Sequence, residues 1–276
     1  MDYSQILSQQ FNIKEEYAKN IITLLDDGNT IPFIARYRKE MHGSMDDQLI
    51  REFAEKLEYL RGLDKRRDEI RSLIDAQEKL TDEINLALDK AATLSELEDI
   101  YRPYRPKRKT RASIAKEKGL EPLANDILKQ EKGFDPSKSA VDYIDEEKGV
   151  TSVEDAIQGA MDIIAELVSD NAEIRKRIRN LTNANGVLVS VATDEEKDSV
   201  YKNYYDYKEP VKKIAGHRVL AVNRGEKEGF LKVSVETDSE KPLNSIFRAM
   251  ITDKNQLCSD IIREACTDAY QRLIIP

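Results

Sequence analysis

The sequence of 276 residues contains no tryptophan, only two histidines and only two cysteines. His42 and His217 lack a Cys, His or Asp partner at the spacing of a metal site. Cys258 and Cys266 lie eight positions apart in one predicted helix, where they cannot form a disulfide with each other. The glycine loop that binds phosphates, the GxSxG motif and the HExxH motif are also missing. We therefore predict no catalytic residue, no metal, no cofactor and no small-molecule substrate, and hence no enzyme.

Long apolar runs are missing as well. No stretch approaches the roughly 20 apolar residues of a membrane span, and the start, MDYSQ, lacks the basic residues of a signal peptide. Charged residues make up 35% of the chain and hydrophobic residues 40%, which is typical of a helix-rich protein with solvated faces. We predict a cytoplasmic protein without membrane contact.

Basic residues are concentrated in one stretch. Between positions 101 and 118, eight Lys and Arg residues accompany one acidic residue, a local net charge of +7 in a chain whose total is −8, which leaves −15 for the remainder. We call residues 101–111 the basic strap. Pro103 and Pro106 disfavour a helix and push the preceding arginines towards an extended polyproline II conformation. The cations of the strap are Arg102, Arg105, Lys107, Arg108, Lys109 and Arg111.

Two interpretations of the basic strap stay open. In polyproline II geometry, with about three residues per turn, Arg102, Arg105 and Arg108 share one edge that suits phosphates or a strongly acidic partner. In so acidic a chain, however, Glu and Asp side chains of neighbouring helices can hold the same arginines. Tyr101 and Tyr104 would then dock the strap onto the core. Both interpretations can hold for different residues.

The N-terminal part is predicted to form three short helices, over residues 3–10, over residues 13–26 and from Thr30 onward. Pro32 lies in the first turn of the third helix, where its missing N–H costs nothing. Three short helices with a basic third one resemble a helix-turn-helix, so the third helix is a candidate for nucleic-acid binding. Its predicted core edge consists of Phe33, Ile34 and Tyr37. Its exposed basic residues are Arg36, Arg38 and Lys39.

Hydrophobic periodicity predicts two long helices. Apolar residues run from Ile50 to Ile74 at helical spacing, interrupted by a charged run at residues 64–69 that we assign to a solvated face. A second long helix is predicted from Ala156 to Leu181, and a tyrosine-rich amphipathic helix over residues 198–207. Residues 187–235 contain the only β-type patterns and indicate at most two strands. The predicted fold is mainly α and multi-helical, with long antiparallel helices and at most a small β-hairpin-like element.

These patterns divide the chain into three predicted regions. Residues 1–76 combine the helix-turn-helix-like start with the first long helix, and residues 77–182 form a helical region that contains the basic strap. Residues 183–276 form a central region, mixed at first and then helical. The last residues, AYQRLIIP, break off after building an apolar face, so we expect the chain to be part of a longer protein.

Five stretches carry a resemblance to a known family: TIPFIARYRKE (30–40), LEDIYRPYRPKRKT (97–110), KGLEPLA (118–124), DYKEPVKK (206–213) and HRVLAVNRG (217–225). They resemble the N-terminal and central helical regions of the Tex family of bacterial transcription accessory proteins, which are related to a eukaryotic transcription elongation factor. The resemblance covers nearly the whole chain. It implies a chain truncated before an RNase-H-like domain without nuclease activity, helix-hairpin-helix repeats and an S1 RNA-binding domain.

Two hypotheses about function follow from the resemblance. In the first, the chain is a non-catalytic scaffold fragment that binds RNA or DNA weakly, through the basic third helix and the basic strap. In the second, it is a protein–protein interaction scaffold that positions the missing domains or docks on the transcription machinery, and its net charge of −15 outside the strap region repels nucleic acid. The family supplies no catalytic residue that could be assigned to this chain.

Overall fold

The computed structural model describes residues 2–106, 108–252 and 254–275. The chain divides into two compact units, unit 1 (Met1–Tyr104) and unit 2 (Arg105–Pro276). Helices dominate both units, and the described strands belong to one small antiparallel sheet, so the prediction of a mainly α fold is confirmed. The division into three regions stays a prediction. None of the described helices is long and apolar enough to cross a membrane.

Unit 1 consists of short helices around one long helix. The long helix, α5 (Asp47–Asp75), confirms the prediction from the apolar spacing, and it begins after Asp46, whose carboxylate accepts a hydrogen bond from the Leu49 N–H at 2.8 Å. The third N-terminal helix starts where it was predicted, with Pro32 in its first turn. The described helices of unit 1 are α1 (Tyr3–Phe11), α2 (Glu15–Asp26), α3 (Ile31–Tyr37), α4 (Lys39–His42), α5 (Asp47–Asp75), α6 (Asp82–Lys90) and α7 (Leu94–Tyr101), followed by a 3-10 turn at Arg102–Tyr104.

Two hydrophobic clusters share helix α5. The first half of α5, from Ile50 to Leu60, packs with α1, α2 and α3 in the N-terminal cluster. The second half, from Leu63 to Ile74, packs with α6 and α7 in a separate cluster. At about 1.5 Å per residue, the 29 residues of α5 span about 44 Å, which is long enough to serve both.

The charged run of α5, residues 64–69, was predicted to be a solvated face, but it is solvated only in part. Arg67, in the middle of this run, is only 5% exposed. Its Nε and Nη2 atoms donate to the carbonyl oxygens of Leu88 and Ala91 at 2.9 and 3.0 Å, and its Nη1 pairs with Asp64. These carbonyl groups lie at the C-terminal end of α6, where helical N–H partners run out and the Leu88 carbonyl oxygen accepts a long hydrogen bond, 3.3 Å, from the Ala91 N–H. Arg67 therefore compensates the end of α6 with a positive charge.

Unit 2 is arranged around α11 (Val153–Asp170), which packs against α8 (Arg111–Glu117), α9 (Glu121–Lys129) and α15 (Gln256–Asp268). The predicted helix from Ala156 to Leu181 is in fact two helices, because the backbone leaves the helical conformation at Asn171 and its side chain accepts a hydrogen bond from the Ile174 N–H at 3.0 Å. The described helices of unit 2 are α8 (Arg111–Glu117), α9 (Glu121–Lys129), α10 (Pro136–Ala140), α11 (Val153–Asp170), α12 (Ala172–Asn185), α13 (Gly216–Lys227), α14 (Glu240–Met250) and α15 (Gln256–Asp268), with 3-10 turns at Val141–Tyr143 and Lys202–Tyr204 and a π-helical turn at Ala269–Ile274.

The sheet of unit 2 has three strands where the sequence indicated at most two. The strands are β1 (Val187–Ala192), β2 (Asp206–Pro210) and β3 (Leu231–Glu236), in the antiparallel order β2–β1–β3. The amphipathic helix predicted over residues 198–207 is wrong, since that segment forms the 3-10 turn at Lys202–Tyr204 and the start of β2. Ser190 in β1 donates a hydrogen bond to the Tyr204 carbonyl oxygen at 2.8 Å, which holds the 3-10 turn against the sheet.

Candidate nucleic-acid interface

The basic end of α3 is shaped by a change of backbone direction. Ile34 is fully buried in the N-terminal cluster and anchors one side of α3. The helix ends at Arg38, whose φ of −132° and ψ of 31° are not helical, and α4 follows immediately. Gly43 then ends α4 at a φ of +66°, a conformation that favours glycine. The basic residues of this segment are thus placed where one short helix gives way to the next.

A buried histidine holds α4 against α3. His42 is fully buried, and its Nε2 atom lies 3.0 Å from the carbonyl oxygen of Ile34. Because a carbonyl oxygen can only accept a hydrogen bond, Nε2 carries the proton and donates it. His42 therefore fixes the position of the basic residues that lie between these two contacts along the chain.

The basic residues of this segment confirm the solvent-facing assignment in part. Arg36 and Lys39 are exposed, whereas Arg38 is half-buried. Arg38 Nη1 donates to the Tyr37 carbonyl oxygen at 3.1 Å. Among the residues that the structure describes, none forms an ion pair with Arg36, Arg38 or Lys39. Their positive charges are therefore not neutralised by a neighbouring carboxylate of the described chain.

Aromatic rings accompany these cations. The guanidinium carbon of Arg38 lies 5.1 Å from the centre of the Phe33 ring, and the Tyr37 ring centre lies 5.4 Å from that of Phe33. Tyr37 was predicted at the core edge, but it is 64% exposed. It is the last residue of a seven-residue helix, beyond the part of α3 that Ile34 anchors on the core. The solvent side of α3 therefore combines an exposed aromatic ring with positive charge.

The part of the basic strap that belongs to unit 1 is folded onto the core. Arg102–Tyr104 form a 3-10 turn that continues α7, so the predicted polyproline II conformation is wrong for these residues. Tyr101 is 5% exposed, and Tyr104 packs against the cluster that the second half of α5 forms with α6 and α7, as predicted. Gln77 Nε2 donates to the Tyr104 carbonyl oxygen at 2.9 Å. Arg102 is half-buried and already makes an interaction, so it is not a free cation.

The part of the strap that begins unit 2 leads into α8. Thr110 caps this helix by accepting a hydrogen bond from the Ser113 N–H at 3.0 Å, and its hydroxyl donates to Glu166 Oε2 at 2.7 Å. Arg111 is exposed, and its positive charge lies close enough to Asp162 to lower the pKa of that carboxyl group. Thr110 and Arg111 are thus directed towards carboxylates of α11, which favours an intramolecular role for this end of the strap.

Burial and opposite charge compete at Asp162. Burial raises the pKa of Asp162 above its ordinary value, although the guanidinium groups of Arg111 and Arg272 oppose the rise. Arg272 Nη2 lies 3.7 Å from Asp162 Oδ1, too far for a strong hydrogen bond, because Arg272 also binds Asp268 through Nε at 2.9 Å. The neighbouring arginines therefore balance the negative charge of Asp162 only in part.

The remaining strap cations differ in how they are engaged. Lys109 Nζ forms an ion pair with Glu117 Oε2 at 3.0 Å, and Arg105 also makes an interaction and is not free. Arg108 is exposed and makes no ion pair within the described part of the chain. Lys107 lies outside the described residues. With Arg102 in a 3-10 turn, the edge predicted for Arg102, Arg105 and Arg108 loses its geometric basis.

Arg36, Arg38 and Lys39, predicted in one segment, follow each other from the end of α3 into α4. Tyr37 was predicted as a core-edge residue and not as part of the site, although its ring is the most exposed aromatic ring of α3. A signal was present, because Tyr37 lies between Arg36 and Arg38 at the end of the predicted helix. Among the described residues, no group of three or more His, Cys, Asp and Glu side chains is arranged to hold a metal ion.

Comparison with known proteins identifies two regions of this chain. A family model described as Tex-like protein N-terminal domain matches residues 1–75. A second model, described as Tex central region-like, matches residues 131–273. The first contains the α3 segment, and the second contains most of unit 2.

Individual relatives match over most of this chain but only over a part of their own length. The Bacillus subtilis protein named "Uncharacterized protein YdcI" is 43% identical over 100% of this chain and 39% of its own length. The Neisseria gonorrhoeae protein named "Transcriptional accessory protein Tex" is 39% identical over 86% of this chain and 31% of its own length. The human protein named "S1 RNA-binding domain-containing protein 1" is 30% identical over 100% of this chain and 29% of its own length. The chain thus spans between 29% and 39% of the length of these relatives, and it belongs to the Tex family.

Proposed function

We propose that this chain is the N-terminal part of a cytoplasmic transcription accessory protein and that it binds nucleic acid, without catalysis, through α3 and α4. The name of the gonococcal relative supports the role in transcription, and the name of the human relative makes RNA a ligand to test beside DNA. The observation that carries nucleic-acid binding is the set of three cations, Arg36, Arg38 and Lys39, that no carboxylate of the described chain neutralises.

The negative net charge of the chain does not prevent such binding. At physiological ionic strength, charges more than about 8 Å apart are largely screened from each other. Residues 30–43 contain three basic residues and one acidic residue, Glu40, so the local charge is positive. With two or three phosphate contacts, the affinity should be micromolar or weaker at physiological salt, as for other non-specific binding.

A salt titration of the whole 276-residue chain tests the proposal. Binding to labelled single-stranded and duplex oligonucleotides, both DNA and RNA, is measured by fluorescence anisotropy at several salt concentrations. Each phosphate contact contributes about −0.9 to the slope of log affinity against log salt for duplex DNA and about −0.7 for a single strand. The triple variant Arg36→Ala, Arg38→Ala, Lys39→Ala should bind more weakly and lose about two units of slope.

A control variant removes the same charge from elsewhere in unit 1. Lys65, Lys79 and Lys90 are exposed and make no ion pair within the described chain, so Lys65→Ala, Lys79→Ala, Lys90→Ala should leave the slope nearly unchanged. Equal losses in the two triple variants would contradict a site at α3 and indicate a general effect of net charge.

A scaffold for protein partners is the second candidate function, and the contacts of the basic strap favour it. Tyr101, Tyr104 and Thr110 dock the strap, and Lys109 is already paired with Glu117. The variant Arg105→Ala, Lys107→Ala, Arg108→Ala, Lys109→Ala should therefore flatten the salt slope by about one unit, less than the α3 variant. If the wild-type chain retains no nucleic acid even at low salt, the scaffold proposal replaces nucleic-acid binding.

A further inference from the structure

We infer that α3 binds single-stranded nucleic acid, with one unstacked base lying on the exposed ring of Tyr37 and with Arg36 and Lys39 at the adjacent phosphates. The inference rests on the proposed function and names its ligand more closely. Surfaces that bind single strands combine positive charge along the backbone with aromatic rings on which bases stack. Residues 36–39, which run from the last turn of α3 into the start of α4, have this composition.

The ring of Tyr37 is both accessible and pre-oriented. It is 64% exposed, so a base can reach it without displacing a protein side chain. The Phe33 ring lies beside it, with the centres 5.4 Å apart and the planes tilted by 43°, and Arg38 covers Phe33 at 5.1 Å. This short chain of contacts limits the motion of the Tyr37 side chain, which lowers the entropic cost of holding a base against it.

The position of the cations, between the last turn of α3 and the start of α4, favours a single strand over a duplex. A recognition helix of a helix-turn-helix inserts its N-terminal residues into the major groove. The N-terminal residues of α3 are Ile31, which packs on the core, and Pro32, neither of which can bind a base edge or a phosphate with a side chain. The cations lie at the opposite end, and α3 is only about 10 Å long before the chain turns at Arg38. Bases within a duplex would not reach the Tyr37 ring, because they are stacked on each other.

Tyr59 provides a matched aromatic residue that should not bind. It is 42% exposed, and Lys56 lies over its ring at 4.9 Å, so it resembles Tyr37 in exposure and in having a cation nearby. Glu52 and Glu55, however, line the same groove and repel phosphates. A base-stacking ring needs a positive environment for the backbone, which Tyr59 lacks.

The test uses the whole chain and three variants, Tyr37→Leu, Tyr37→Phe and Tyr59→Leu. The probes are a labelled oligothymidylate single strand, the same backbone with abasic sites in place of the bases, and a duplex of equal length. Tyr37→Leu should weaken binding of the single strand about 5- to 30-fold, which corresponds to the loss of one stacked base. Tyr37→Phe retains the ring, and Tyr59→Leu lies outside the site, so both should bind as the wild type does. None of the three should change the salt slope.

The abasic strand checks stacking without any substitution. It should bind the wild type more weakly than the oligothymidylate does, and Tyr37→Leu should have no effect on it. Equal wild-type affinity for the base-bearing and abasic strands would overturn the inference, and so would an unchanged affinity of Tyr37→Leu. In either case, loss of binding in the triple charge variant would leave the proposed function standing. A wild-type chain that binds no nucleic acid would instead refute the proposed function itself.

Discussion

The guanidinium group of Arg67 lies buried beside two backbone carbonyl oxygens and one carboxylate, whereas that of Arg36 is exposed and unpaired within the described chain. The two side chains have the same chemistry, and the difference lies in the elements that meet around them. Arg67 faces the end of α6, where carbonyl groups need donors. Arg36 faces solvent at the end of α3. The arginine with a structural role and the arginine proposed to bind a ligand thus differ in their surroundings.

Arg67→Met should destabilise unit 1 by about 3 kcal/mol, because the carbonyl oxygens of Leu88 and Ala91 would lose their buried donors. Lys65→Met, on the same helix but exposed, should change the free energy of unfolding by less than about 0.5 kcal/mol. Denaturant titrations of both variants provide the measurement. Similar stabilities would mean that water replaces the guanidinium group at the end of α6.

Asp162→Asn should change the pH dependence of unfolding, because the pKa of Asp162 is raised by burial in the folded state. For a raised pKa, the favourable contribution to folding is complete below the unfolded-state pKa of about 3.9 and is lost as the pH rises through the folded-state value. The wild type should therefore lose stability relative to Asp162→Asn as the pH rises through this window, with a constant difference above it. Denaturant titrations across the acidic pH range measure the difference.

Asp155, on the same helix, supplies a control of opposite sign. The hydrogen bond from the Thr151 hydroxyl lowers the pKa of Asp155. The stabilisation from this carboxylate is present above the unfolded-state pKa and is lost as the pH falls. Relative to Asp155→Asn, the wild type should therefore gain stability with rising pH. The same sign for both substitutions would show that Arg111 and Arg272 outweigh burial at Asp162.

At the scale of single elements, the apolar spacing of α5 is the clearest basis for a prediction. Leu57 is 3% exposed within the N-terminal cluster, so Leu57→Ala should cost about 2–5 kcal/mol of unfolding free energy. Leu73 lies on the same helix but is 43% exposed, so Leu73→Ala should cost about 0.5 kcal/mol. Thermal or denaturant unfolding distinguishes the two. Equal losses of unfolding free energy in Leu57→Ala and Leu73→Ala would mean that the assignment of the buried face of α5 is wrong.

Periodicity predicted α5 but could not detect the break between α11 and α12. Leu167 and Ile174 are seven positions apart, which is the spacing of a continuous helix. The apolar pattern therefore gives no sign of the break in the helix between them. Asn171 was the local signal, since asparagine is a preferred cap residue. The strand β2, with the sequence DYKEP, contains no β-branched residue, so its place beside β1 depends on contacts distant in the sequence.

The candidate site was predictable in its charges but not in its aromatic ring. Arg36, Arg38 and Lys39 were predicted on one basic helix, whereas in the structure α3 ends at Tyr37, Arg38 is not helical and Lys39 begins α4. Tyr37 lies three positions after Ile34, and the helical period therefore assigned it to the buried face. The helix ends at Tyr37, and the spacing of apolar residues cannot predict whether other elements cover the side chains of its last turn. For the strap, proline bias towards extended geometry was outweighed by the packing of Tyr101 and Tyr104.

At the scale of the whole chain, the basic strap contains the boundary between units 1 and 2. Tyr104 holds the strap through its packing and through the hydrogen bond from Gln77. Trypsin should cleave within residues 105–109 more rapidly in Tyr104→Ala than in the wild type, because an undocked basic segment is a good substrate. Mass spectrometry should find fragments that correspond to the two units.

Tyr59→Ala serves as the control for this experiment, since Tyr59 is 42% exposed on the first half of α5, whereas Tyr104 packs with the second half. Its cleavage rate should match that of the wild type. If Tyr104→Ala also matches it, then the strap is already undocked in solution and the contacts of Tyr104 contribute little to its protection.

The two hydrophobic clusters of unit 1 both contain residues of α5, which couples their folding. Each cluster packs on one half of α5, and the helix that both require gains little stability from its own hydrogen bonds. Loss of either cluster would leave half of α5 without a partner and would weaken the other. The amide protons of α5 from Ile50 to Ile74 should therefore exchange with solvent deuterium in one concerted opening event, even though no single core connects the two ends of the helix.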